Sequence, residues 1–242
     1  MSILRNQIPI HADILSGLTD NKNSVLVFGD HKIKHCRIRP LETCGIAERT
    51  RALLGRMRYK ILALAGLRHP DTRIPSQFMA EDFRSVLANY GFSNIKILDF
   101  FDKSADIVHD MNLPLPAQYE AAFETVIDMG TSEHVFDVRQ CFANLFSLLK
   151  PGGTIILNLP CKGYYLHGLY TFSPELITEM LVCNGFEIIR EIYGTEAGVI
   201  VDRNQDAPDI MMWMVARLTA KRDTFVSPQQ AKWADVYRQQ NG

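Results

Sequence analysis

Between residues 123 and 160 the chain reads FETVIDMGTSEHVFDVRQCFANLFSLLKPGGTIILNLP. This is an apolar run, an amphipathic helix, a hard stop and a second apolar run. ETVIDM (124–129) is short, apolar and bounded by turn residues, as a strand buried on both faces of a parallel sheet must be. Asp137 stands at the N-cap position of the next element, with Gln140 at the capping-box position. Val138, Cys141, Phe142, Leu145, Phe146 and Leu149 then recur at helical spacing and make one apolar face. Lys150 suits the negative end of that helix, and Pro151-Gly152-Gly153 stops it. TIILNLP (154–160) is the following strand. A strand, a helix and a strand in that order imply a right-handed crossover within a parallel sheet.

The same alternation extends in both directions. Ser173 caps a further helix with Pro174 at its first position; it carries Leu176, Ile177, Met180 and Leu181 and ends at Asn184-Gly185. FEIIREIY (186–193) and DIMMWMVARL (209–218) read as strands, and the hydrophilic tail from Lys221 as a terminal helix or loop. Upstream, NSVLVFGDH (23–31), NIKILDFFD (94–102) and ADIVHDMNLPLP (105–116) read as three more strands. Between the first two lies a mixed stretch whose basic part, RTRALLGRMRYKILALAGLRH, places Leu53, Leu54, Met57, Ile61 and Leu62 at helical spacing. FMAEDFRSVLANYGF (78–92) is an amphipathic helix ending at Gly91. Alternating strands and helices predict an α/β fold with helices on both faces. Ligands of such folds bind at the carboxyl edge of the strands, where the strand order reverses.

Composition narrows the function classes. A length of 242 residues suits one large domain, or one domain with an inserted subdomain. A formal net charge of −1 offers no basic field for nucleic acid or anionic lipid. Apolar runs such as IMMWMVA (210–216) are too short to span a bilayer, so neither nucleic acid nor membrane is expected as a partner. The five cysteines are scattered without a Cys-x-x-Cys pair, which argues against a disulfide framework or zinc knuckle. His31, His35, Cys36 and Cys44 show no recognised ligand spacing, and no metal is expected. The N-terminus lacks the pattern of a signal peptide, so a cytoplasmic setting is expected. Self-association is left open.

FETVIDMGTSEHVFD, LFSLLKPGGTIILNLP and FSPELITEMLVCNGFEII together resemble the class I S-adenosylmethionine-dependent methyltransferases. The resemblance covers about Ile95 to Leu218. It implies a Rossmann-like, doubly wound, seven-stranded sheet, mostly parallel with the last strand antiparallel between its neighbours, and S-adenosyl-L-methionine as cofactor. Its first strand and glycine-rich loop match VLVFGDH, which places Gly29 and Asp30 against the cofactor. One glycine stands where the family commonly has two or three. The second strand's terminal acid, an acceptor for the ribose hydroxyls, matches Asp99, with Asp102 as rival; a carboxylate suits that task because it only accepts. Asp110 matches the acid near the adenine amino group, with Met111 flanking the ring. Asp128, Met129 and Gly130 are expected along the methionine part. A second departure is spacing: 70 positions separate Gly29 from Asp99, against about 20 in an uninterrupted unit. Residues 1–242 are therefore read as a single methyltransferase-like domain with a helical insertion or lid at 33–90. Its Arg49, Arg51, Arg56, Arg58 and Lys60 are expected to meet an anionic substrate.

Methyl transfer to oxygen or nitrogen can need a general base, and histidine serves near neutral pH. His134 and His167 fall near the expected edge and are the catalytic candidates; Tyr164, Tyr165 and Tyr170 are candidates for the substrate wall. Simpler roles stand beside these. Asp128 can hydrogen-bond a backbone turn, Glu133 can belong to the approach to a helix, and His134 can pack beneath the sheet edge. The reading reached is methyl transfer to a small molecule or biosynthetic intermediate, with oxygen favoured. The alternatives are a catalytically inactive relative with a binding or regulatory role and a nicotinamide-dependent oxidoreductase. The latter is disfavoured because Gly-x-Gly-x-x-Gly does not follow the first strand.

Overall fold

The computed structural model describes residues 2–34, 75–80 and 82–229. Its strands are β1 (Ser2–Leu4), β2 (Val25–Phe28), β3 (Lys32–Lys34), β4 (Ile95–Asp99) and β5 (Ile107–Val108). There follow β6 (Phe123–Asp128), β7 (Leu149–Lys162), β8 (Phe186–Gly194), β9 (Ile200–Val201) and β10 (Ile210–Leu218). The α-helices are α1 (Ile8–Gly17), α2 (Phe83–Asn89), α3 (Val138–Ser147) and α4 (Pro174–Cys183).

Strand periodicity sorts the core into two layers. Leu26, Phe28, Val126, Ile155, Leu157, Met212 and Met214 point to one face, where α3 and α4 bring Phe142, Leu145, Ile177 and Leu181. Val25, Val27, Ile127, Ile156, Trp213 and Val215 point to the other, against Ile8 and Leu15 of α1 and Phe83, Val86 and Leu87 of α2. Each of these side chains contributes about 1.5–3 kcal/mol when removed from water. Three helix starts are capped by side chains: Asp82 accepts from Ser85 N, Asp137 from Gln140 N and Ser173 from Leu176 N.

The main sheet runs β5-β4-β2-β6-β7-β10-β8-β9. The first five strands are parallel, and β10 lies antiparallel between β7 and β8. The expected seven strands are thus joined by an eighth, β9, and a second strand runs against the parallel set. A turn closed by Gly198 N on Thr195 O and Thr195 N on Val199 O reverses the chain and lays β9 on the edge. β5 is far shorter than its apolar run, because Asp106 occupies Ile97 N with a side-chain oxygen where a backbone carbonyl would continue the ladder. Pro151-Gly152-Gly153 is an irregular start of β7 rather than a separate turn, with a register shift opposite Phe123 and Thr125.

Of the expected insertion at 33–90, residues 35–74 and 81 lie outside the described residues, and with them the Arg49–Lys60 basic stretch, His35, Cys36 and Cys44. Residues 83–89 belong to the sheet's own layer and not to a lid, since Phe83, Val86 and Leu87 are buried in its core. The two ends of the excursion meet: Lys32 bridges Asp82, and Phe83 N donates to His31 O at 3.1 Å. β3 also pairs with β1 in a small separate sheet. No helix among the described residues is long and apolar enough to cross a membrane.

Candidate functional site

Register aligns the carboxyl ends of three strands. Phe28 pairs with Leu98 on one side and Asp128 on the other, and Asp99 pairs with Val108 of β5. At this edge lies a cleft of about 630 Å³, lined among others by Gly29, Asp30, Asp99, Asp110, Met111 and His134. Phe101 also borders it and is 85% exposed.

The loop after β2 is built with one glycine. Gly29 has φ +87, and a Cβ there would meet Thr131 Oγ1 at 2.5 Å, so only glycine fits without strain. Where further glycines were missed, side chains staple the loop. His31 Nε2 and Thr131 Oγ1 both donate to Phe28 O at 2.9 Å. A carbonyl only accepts, so Nε2 carries the proton and the buried Nδ1 does not. Burial lowers the His31 pKa to about 4, against the raising effect of the Phe28 bond.

The two carboxylates of the cleft are held by amides. Asp99 Oδ1 accepts from Phe101 N at 2.7 Å and Asp102 N at 2.9 Å, and Oδ2 from Asp30 N at 3.1 Å. Burial pushes its pKa up, but the amides of Asp102, Asp30 and Phe101 outweigh it and the net direction is down. Asp110 Oδ1 accepts from Asn112 N and Nδ2, and these bonds hold its pKa down. Asp102, the rival, also borders the cleft and accepts from Ser104 N and Oγ.

Three sequence candidates are placed otherwise. Asp128 is fully buried and does not border the cleft. It ties the following turn, accepting from Thr131 N at 2.8 Å, from Ser132 N at 3.4 Å and from the Ser132 hydroxyl. Burial raises its pKa to about 6 against those donors. Met129 is packed in the core beside Ile127 and Ile156, and Gly130 turns the chain with φ +85. The strand-end acid went to the backbone because that turn leaves one buried and one part-buried amide needing an acceptor.

Glu133 is the residue that sequence reasoning passed over. The backbone of the loop after β7 lies on it: Leu169 N and Tyr170 N donate to its carbonyl at 2.8 and 3.1 Å. A Cβ at Gly168 would strike its Cγ at 2.9 Å. Its side chain is 1% exposed, and neither carboxyl oxygen has a hydrogen-bond partner. Oε1 lies 3.9 Å from His134 Nε2 and 3.7 Å from His167 Nε2, and the two imidazoles are 5.3 Å apart. Burial, then the charge of Asp128, raises the Glu133 pKa to about 8. Burial and His167 lower that of His134. The only local signal was the Glu-His pair itself.

The tyrosines do not border the cleft. Tyr164 packs edge-on against His167 with its hydroxyl buried and unpaired. Tyr165 is exposed, and Tyr170 donates to Phe136 O at 2.6 Å while stacking on Phe172.

No family model matches the chain, and no curated protein does. Solved structures do. A protein of Bacillus halodurans C-125 assigned as a methyltransferase superposes with a TM-score of 0.50 at 10% identity, over 88% of this chain and 99% of that one. A Galdieria sulphuraria protein assigned as a sarcosine dimethylglycine methyltransferase gives 0.49 at 11% identity, over 90% and 86%. The 1,6-didemethyltoxoflavin-N1-methyltransferase of Burkholderia thailandensis, solved with 1,6-didemethyltoxoflavin and S-adenosylhomocysteine, gives 0.41 at 16%, over 57% and 67%. Together with the strand order, the Bacillus halodurans likeness establishes the architecture: this chain has the Rossmann-like fold expected of the class I methyltransferases, with one edge strand added.

Proposed function

We propose that the protein is an S-adenosylmethionine-dependent methyltransferase acting on a small molecule or biosynthetic intermediate, with oxygen as the methylated atom. The observation that carries this reading is the convergence of Asp99 and Asp110, from paired strands, on one cleft that Gly29 also borders. The residues fit the cofactor. The cleft's volume lies within the range of about 300–1,000 Å³ usual for such ligands. A carboxylate has about four acceptor sites; Asp99 has three filled by amides and keeps room for a ribose hydroxyl. The described residues give Asp110 Oδ2 no donor, which suits an amino group. Phe100 and Phe101 offer exposed apolar surface beside them.

When bound, the cofactor supplies a methyl group on a positively charged sulfur. The chain's part is to hold donor and acceptor in line and to keep water out, which is worth up to about 7–11 kcal/mol. His134 borders the cleft and His167 stands beside it, with ring centroids 5.3 Å apart; these are the groups we assign to activating an acceptor hydroxyl.

Titration calorimetry with S-adenosylhomocysteine tests the reading. Saturable one-to-one binding is expected, weakened at least about five-fold by Asp99→Ala and by Asp110→Ala, the loss of one charge-assisted hydrogen bond. No binding to the folded wild type overturns it and favours the non-catalytic relative. Unchanged affinity in folded Asp99→Ala moves the ribose role to Asp102.

A further inference from the structure

Glu133 poses a physical problem that the described residues do not solve. Buried polar side chains are almost always hydrogen-bonded, and an exception points to an ion or water that completes it. Here both oxygens of one carboxyl are buried and unpaired. The two histidines are the charged or chargeable partners within 4.0 Å among the described residues, and both stand too far for hydrogen bonds. One ligand atom from each of Glu133, His134 and His167 lies within 4.8 Å of the others.

We propose that Glu133, His134 and His167 form a binding site for a divalent transition-metal ion of the zinc class. Two imidazole nitrogens and one carboxylate oxygen are the donor set of open zinc sites; hard cations such as magnesium prefer all-oxygen shells. Bonds of about 2.0–2.2 Å put tetrahedral ligand atoms ~3.4 Å apart; the two Glu133–histidine edges, 3.7 and 3.9 Å, need a small closure, and the histidine–histidine edge, within 4.8 Å, is closed by rotation of partly exposed side chains. The histidines sit 37% and 45% exposed, which leaves an entry path and coordination positions for water or substrate. The carboxylate is fixed from behind by the Gly168 loop. His134 also borders the large cleft, so an ion here reaches the acceptor's place. An ion lowers the pKa of a bound hydroxyl, so with the ion in place it, rather than a free histidine base, would activate an oxygen acceptor. That consequence rests on the proposed function; the site itself does not.

The test uses tag-free, full-length protein freed of metal with a chelator. Titration with Zn²⁺ should show one equivalent bound, and Co²⁺ should give the ligand-field absorption of a four- or five-coordinate site. The paired variant His134→Ala/His167→Ala changes two partly exposed side chains and should keep its circular dichroism. It should lose at least about 100-fold in Zn²⁺ affinity, beyond the 10–100-fold typical of outer-shell partners. Glu133→Gln should lose the Co²⁺ band. Failure of folded wild type to bind Zn²⁺, or equal affinity in the paired variant, overturns the site. S-adenosylhomocysteine binding to the metal-free protein is read separately, so a lost metal site and a lost cofactor site are distinguishable.

Discussion

Asp99 and Asp110 in the cleft and Glu133 behind His134 are carboxylates treated in opposite ways. At the Asp99–Asp110 end, donors hold both oxygens of Asp99 and one of Asp110, and these bonds lower the pKa of both groups. At the Glu133 end a carboxyl is buried with no donor, and its pKa is raised to about 8. The first arrangement is preorganised: its geometry is held by the chain and adds a ligand without rearrangement. The second is incomplete as a protein structure. A group buried without partners costs stability unless something else satisfies it, so its persistence is better explained by use than by folding. Asp128, at the end of β6 and fully buried, shows that burial alone does not make an orphan, since it accepts from Thr131 and Ser132.

This contrast can be broken in three places. The largest effect is expected at Asp128. Asp128→Ala leaves two amides and a hydroxyl without their acceptor, and should destabilise the fold by about 3 kcal/mol in urea unfolding. A cost below about 1 kcal/mol would show that the turn finds other partners.

Next comes His11, an orphan on the far side of the sheet, with both ring nitrogens buried and unpaired and Trp213 edge-on at 5.7 Å. Burial, then His31, lowers its pKa from 6.5 to about 3. Protons therefore bind the unfolded chain first. The stability from a neutral His11 is present above pH 6.5 and declines as pH falls from there towards 3. The advantage of His11→Phe over wild type should be about 2 kcal/mol larger at pH 5 than at pH 8. Parallel pH profiles for the two proteins would refute the assignment.

The smallest effect is expected at Glu133. In metal-free protein Glu133→Gln breaks no hydrogen bond, and should change stability by less than about 1 kcal/mol at neutral pH. A loss above about 2 kcal/mol means the carboxyl is paired in solution, and the contrast between the two ends disappears.

What could be read from the chain follows how local each signal is. Strand runs and the caps at Asp137 and Ser173 are written in nearby residues, and the structure keeps them; the antiparallel placement of 210–218 came only from the family resemblance, and the structure keeps it too. Asp99 and Asp110 were legible because both close an apolar run at the same edge. Asp128 and Met129 misled for a related reason: they too end a strand, but the next turn claims one and the core the other. Glu133 was hidden because its burial comes from Gly168 and its neighbours, brought over it by the loop after β7. His31 was illegible in the same way; nothing local says that an imidazole, and not a second glycine, will hold the first loop. β9 and the β1–β3 pair are too short to carry a pattern.

Lys32 and Asp82 touch although 49 residues, 33 to 81, separate them. The junction therefore joins the two sides of that stretch at one point of the fold, as does Phe83 N donating to His31 O. Between two ends joined in this way, each doubling of loop length adds only about 0.6 kcal/mol of closure cost. Such a junction is a splice point: segments of other lengths and chemistries can be exchanged there, at the rim of the cleft, while β4, which ends in Asp99, and β5, which precedes Asp110, keep their register.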